Sequence, residues 1–175
     1  MRRRRLQLAA VVAVMGLLGV VAAAVAGGGG SRDIREVMNG YEETPAAIST
    51  RGFGDFKAKV RDEHIDYRLT YGQLDGDVTQ AHIHFGREAT SGGISAFLCT
   101  NLGNGPAGTQ ACPVSDEPVT IRGTITPTDV VGPAGQGIAP GEYNELLRAI
   151  RADATYANLH TTLFPSGEIR AQLDD

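Results

Sequence analysis

The 175-residue chain is long enough for one domain with a real core, and it carries 16 Lys and Arg against 20 Asp and Glu. Four of those arginines fall within the first five residues, so the remainder holds 12 basic against 20 acidic side chains, a formal charge of −8. That balance speaks against a nucleic-acid partner, because a phosphate backbone requires a basic face.

Arg2 to Arg5 are followed by residues 6–26, an apolar run interrupted only by Gln7 and two glycines, which reads as an export signal. The run exceeds the roughly 7–15 residues of an ordinary secretory signal and approaches the roughly 20 that span a bilayer. Ala24-Val25-Ala26, by contrast, has the small-x-small form of a cleavage site. Residues 1–26 are therefore a signal peptide or an N-terminal membrane anchor. In both cases the arginines keep the N-terminus cytoplasmic and deliver the domain outside, secreted or held to the outer face of the membrane. Any membrane contact is expected only through this segment. Residues 27–32, opening on four glycines, read as a flexible linker, and a single domain is expected over residues 33–174.

Beyond the linker the pattern is one of short strands. Residues 34–38 form a first candidate, and Gly40-Tyr41-Glu42-Glu43-Thr44-Pro45 turns the chain. Residues 54–60 place Phe56, Ala58 and Val60 on one face, and Ile65, Tyr67, Leu69 and Tyr71 alternate with polar neighbours in the next segment. Such alternation marks strands buried on one side. Further strands are expected at 78–85, 94–99, 119–125, 155–161 and 168–173, the last two joined by a turn at Phe164-Pro165-Ser166-Gly167. Helical spacing occurs once, in Tyr143, Leu146, Leu147 and Ile150 after Pro140-Gly141. A single helical turn is expected at Thr126-Pro127, with threonine as cap and proline at the first position. Seven or eight short strands with glycine-rich connections predict an all-β antiparallel sandwich or barrel with one short helix near the C-terminal third.

Cys99 and Cys112 are the only cysteines. An even pair in an exported chain predicts a disulfide, and a spacing of 13 lacks the close Cys pairs of zinc sites.

The chemistry-bearing stretch is Ala81-His82-Ile83-His84-Phe85-Gly86. Alternation in a strand puts His82 and His84 on one face and Ala81, Ile83 and Phe85 on the other. Two neutral imidazoles side by side offer lone pairs to a shared metal ion. A third histidine, His160, lies in Tyr156-Ala157-Asn158-Leu159-His160-Thr161, another expected strand. The alternative is structural, with each ring donating to a main-chain carbonyl or to neighbours such as Asn158 and Thr161. His64 shares the polar face of Asp66 and Arg68 and reads as an exposed strand residue.

Five stretches, namely Gly40 to Pro45, Ala81 to Gly86, Gly123-Thr124-Ile125-Thr126, Tyr156 to Thr161 and Gly167-Glu168-Ile169-Arg170-Ala171-Gln172-Leu173, stand in an order that resembles the CHRD domain, named from chordin and also found alone in bacterial exported proteins. The resemblance covers roughly residues 33–174. It implies an immunoglobulin-like β fold with similarity to superoxide dismutases, and it implies no particular activity. Copper-zinc dismutases also use a His-x-His strand for copper, but no histidine lies between His84 and His160, so a bridging histidine and a zinc subsite cannot be built in that order. What remains is a three-histidine site of His82, His84 and His160 for copper or zinc, completed by water or by a carboxylate such as Glu168. Glu43, Glu168 and Arg170 are expected to hold loops to the body by ion pairs or hydrogen bonds.

No Gly-x-Ser-x-Gly elbow, phosphate-cradling glycine loop or His-Glu-x-x-His helix is present, and Ser91 and Ser166 have no recognisable base. The sequence therefore reads as an exported β-sandwich that binds or supports rather than catalyses. Its partner is expected to be a protein or cell-envelope ligand not identified by the sequence. The competing reading is a dismutase-like redox metalloprotein.

Overall fold

A computed structural model describes residues 30–174; residues 1–26, read as the export segment, and residues 27–29 of the linker lie outside the described residues. The alternating stretches become eight strands: β1 (Arg32–Met38), β2 (Phe53–Val60), β3 (Ile65–Gly72), β4 (Val78–Phe85), β5 (Gly93–Thr100), β6 (Val119–Ile125), β7 (Thr155–Thr161) and β8 (Ile169–Gln172). They form two four-stranded sheets, ordered β1-β2-β3-β6 and β5-β4-β7-β8, with every pairing antiparallel. Isolated bridges, Asn39 to Arg170 and Ala96 to Val130, touch between elements. The result is a sandwich and not a closed barrel.

Between the sheets lie the apolar residues of each alternation. Phe56, Ile65, Leu69 and Ile125 from one sheet and Ile83, Leu98, Leu159 and Ile169 from the other are all essentially inaccessible to water. Each such side chain contributes about 1.5–3 kcal/mol by leaving solvent. Tyr67 crosses the sandwich, its hydroxyl donating to the Leu98 carbonyl at 2.7 Å. Gly123 makes room for it, since a Cβ there would stand 2.5 Å from that hydroxyl oxygen.

The single helix, α1 (Tyr143–Arg151), buries Tyr143, Leu146, Leu147 and Ile150, the residues at helical spacing. Tyr143 ties it to the β2–β3 turn by donating to the Arg61 carbonyl at 2.7 Å. Among the described residues no helix is long and apolar enough to cross a membrane. The turn expected at Thr126-Pro127 is a 3-10 turn over Pro127–Asp129, whose Asp129 carboxylate accepts from the Thr126 amide. Cys99 and Cys112 are bonded as a disulfide, a feature of oxidising compartments.

One strand departs from simple alternation. All seven residues of β7 are buried. The outer face of the β5-β4-β7-β8 sheet is therefore not open to water but roofed by loops, and its polar residues form a second, internal layer.

Candidate metal centre

The outer layer is assembled by register. β4 pairs with β7 so that His82 faces Asn158 and His84 faces Tyr156, while His160 stands opposite Gln80. Paired residues of neighbouring strands share a face. The next strand places Arg170 opposite Asn158, and on the other flank β5 places Phe97 opposite His82. The two local register shifts in the β4–β5 pairing, at Ala81/His82 and Ile83/His84, mark where this face bends around the histidines.

The three imidazoles converge. Ring centroids are 5.3 Å apart for His82 and His84, 5.1 Å for His82 and His160, and 5.9 Å for His84 and His160. One nitrogen of each ring lies within 4.8 Å of the others, and all three residues are buried. His82 Nδ1 and His160 Nε2 are 3.3 Å apart. In the metal-free protein this is a hydrogen bond in which His82 Nδ1–H donates to His160 Nε2, and the separation also matches the spacing of about 3.3–3.6 Å between two nitrogens bound to one ion at about 2.0–2.1 Å.

Two rings are oriented by the main chain. His84 Nδ1 lies 3.0 Å from the Gly92 carbonyl, and His160 Nδ1 lies 3.1 Å from the Pro165 carbonyl. A carbonyl only accepts, so each Nδ1 carries the proton and each Nε2 is left with its lone pair. This is how a second shell prepares metal-ligating histidines. The Nε2 atoms of His82 and His84 are out of solvent contact and have no hydrogen-bond partner. A buried nitrogen without a partner costs about 1–3 kcal/mol, and a cation held at His84 Nε2 would relieve one of the two.

Electrostatics point the same way. Burial pushes His82 down to about 2, with repulsion from His160 and His84 adding to it. Burial also pushes His84 down to about 4 against the opposing pull of the Gly92 carbonyl, and repulsion from His160 and Arg170 contributes further. His160 is lowered by burial, with the Pro165 carbonyl acting the other way. All three rings are therefore neutral at physiological pH, the form that binds metal.

The roof is held by side chains of the same sheet. Tyr156 stacks on His84, the rings 4.7 Å apart and within 4° of parallel, and the Arg170 guanidinium lies 3.5 Å from the Tyr156 centroid. Arg170 donates to the carbonyls of Thr90 and Arg87, and the Gly92 amide donates to the Tyr156 hydroxyl. The 86–92 loop thus supplies the carbonyl that orients His84 and is itself clamped by Arg170 and Tyr156. Phe97 closes the other side, edge-on to His82 at 4.5 Å.

Glu168, considered in the sequence as a completing ligand, is used elsewhere. Its carboxylate accepts from the Thr50 and Thr161 hydroxyls and the Asp75 amide, at 2.7–2.8 Å, and so pins two loops to the end of the sandwich. Glu43 accepts from Asn158 Nδ2 at 2.6 Å, and burial raises it to about 7, partly offset by that bond and by Arg170. Glu43, Glu168 and Arg170 thus hold loops by hydrogen bonds, as the sequence suggested. Asn158 and Thr161, offered there as partners of the histidines, are bound to Glu43 and Glu168 instead. His64 lies in the β2–β3 turn rather than in a strand and is half-buried, with Arg61 3.1 Å from its Nε2. Its neighbours there set it apart from the apolar side, but the strand begins one residue later.

Tyr156, Phe97, Gly92 and Pro165 were not singled out in the sequence. Only Tyr156 left a signal, as the residue four before His160 on the same strand face.

A family model for the CHRD domain matches residues 34–173. The chain belongs to the CHRD domain family. Comparison with curated proteins and with solved structures finds no match. In this CHRD domain the stretches that carry the resemblance are spatially related. Four of the five bring Glu43, His82, His84, Asn158, His160 and Arg170 to the outer layer of one sheet, and the fifth contributes Gly123 beneath Tyr67.

Proposed function

We propose that this CHRD domain is an exported, non-catalytic module, spanning residues 33–174 behind a signal or anchor at 1–26, that holds one metal ion, copper or zinc, at His82, His84 and His160. The observation that carries the reading is the pair of rings whose Nδ1 protons are spent on main-chain carbonyls, leaving their Nε2 lone pairs available beside a third buried ring. A binding role is favoured over catalysis because His82 is wholly buried and His84 Nε2 has no solvent contact, which leaves a small-molecule substrate no open approach to an ion between them. The disulfide supports an extracytoplasmic setting. The partner there is a protein or cell-envelope ligand.

Elemental analysis of protein secreted through the export pathway tests the reading. One copper or zinc per chain is expected, falling to background in His82→Ala and His160→Ala and unchanged in His64→Ala. Wild-type protein that stays metal-free after incubation with either ion, followed by desalting, would leave the histidines a purely structural role.

A further inference from the structure

We infer that the ion this centre is built for is cuprous copper, Cu(I), held by three imidazoles with no fourth protein ligand. This rests on reading the three histidines as a metal centre, and it follows from the ligand set and the closure around it.

Imidazole serves copper and zinc alike, so the ligand type does not choose between them. The donor set does. Among the described residues the group able to hold an ion consists of the three histidines alone. The fixed Nδ1–H donations of His84 and His160 make those ligands neutral. Both cysteines are in the disulfide, Glu168 is spent on Thr50, Thr161 and Asp75, and Glu43 is engaged by Asn158. Among them no carboxylate or thiolate is left free to ligate the ion. The charged group whose repulsion reaches His84 is Arg170, over the Tyr156 ring that stacks on it, with Glu43 as a counter-charge to Arg170 itself.

Burying an ion costs free energy in proportion to the square of its charge, so a monovalent ion carries about a quarter of the desolvation penalty of a divalent one. Repulsion from Arg170 is likewise halved. Divalent copper and zinc usually recover such costs through bound water or hydroxide, or through a carboxylate. Here Phe97 and Tyr156 cover the rings, His82 is wholly buried, and His84 Nε2 is out of solvent contact. A three-coordinate, monovalent ion needs none of these.

The test is an anaerobic competition between the intact, metal-free protein and the chromogenic complex of Cu(I) with bicinchoninate, run beside competitions for Zn(II) and Cu(II) with a chromogenic chelator. One Cu(I) per chain is expected, bound at least 100-fold more tightly than Zn(II) and lost in His160→Ala. X-ray absorption of copper-loaded wild-type protein, which needs no variant to fold, is expected to show a three-coordinate Cu(I) edge with imidazole scatterers only. Zn(II) bound as tightly as Cu(I), or a first shell containing sulfur or a fourth light atom, overturns the choice of Cu(I) while leaving a metal centre in place. Binding of none of the three ions overturns both.

Discussion

Glu43→Gln isolates the electrostatic cost of the buried outer layer. Burial raises the Glu43 carboxyl from 4.5 to about 7, with the Asn158 hydrogen bond and Arg170 only partly opposing it. Because the folded value lies above the unfolded one, ionisation works against folding. The penalty is absent below pH 4.5, grows as pH rises, and is complete above about 7. At about 1.4 kcal/mol for each pKa unit, the full penalty is on the order of 3 kcal/mol. Glutamine keeps an acceptor for Asn158 Nδ2, now 2.6 Å from Glu43 Oε1, but never ionises. The two chains should have similar stability at pH 4.5 and then diverge, with the variant ahead by about 2–3 kcal/mol at pH 8. Urea unfolding followed by far-ultraviolet circular dichroism, with chelator present, measures the gap, and comparing the two chains cancels every other titrating group. A gap that does not change with pH, or a wild type that gains on the variant as pH rises, would refute the reasoning.

Three further outcomes are expected. In the Glu43→Gln background the metal-free protein should weaken in acid, because His82 and His84 are held neutral, at about 2 and about 4, while the unfolded chain protonates below 6.5. Their contribution is complete above 6.5 and is lost as pH falls, at about 2 kcal/mol per ring between pH 7 and pH 5, so an unfolding midpoint that stays level over that range counts against it. Reducing the Cys99–Cys112 bond, which closes a separation of 13 residues, should cost about 3 kcal/mol in the chain-entropy model. Calorimetry with and without reductant reads this as a lower Tm, and an unchanged Tm would show that the loop's hydrogen bonds alone suffice. Gly92→Ala should destabilise by on the order of 2 kcal/mol and weaken metal uptake, since a Cβ there would overlap the Phe85 carbonyl and displace the carbonyl that orients His84. Gly135→Ala, where nothing stands within 4 Å of an added Cβ, is the control, and equal effects at the two sites would refute the role of the loop.

The strands were legible because alternation in Ile65, Tyr67, Leu69 and Tyr71 is set by a two-residue period that any half-buried strand must obey. The helix was legible for the same reason at a different period, in Tyr143, Leu146, Leu147 and Ile150. That His82 and His84 share a face also needed nothing beyond geometry along one strand. The sequence showed less of what lies above that face. β7 is buried on both sides, and the hydroxyls, amides and carbonyls that satisfy its outer face come from loops up to 115 residues away, as Glu43 does for Asn158. Main-chain carbonyls such as those of Gly92 and Pro165 exist at every residue, so no side-chain pattern could mark them out.

From its sequence alone the chain determined an all-β domain, a disulfide pair and two imidazoles projecting from one strand, because each depends on local period or on composition. Only the tertiary structure decided that His160 joins them, that Glu168 does not, and that Arg170 and Glu43 are the nearby charges. Those outcomes depend on which strands become neighbours and in what register, and that is fixed by the packing of two whole sheets.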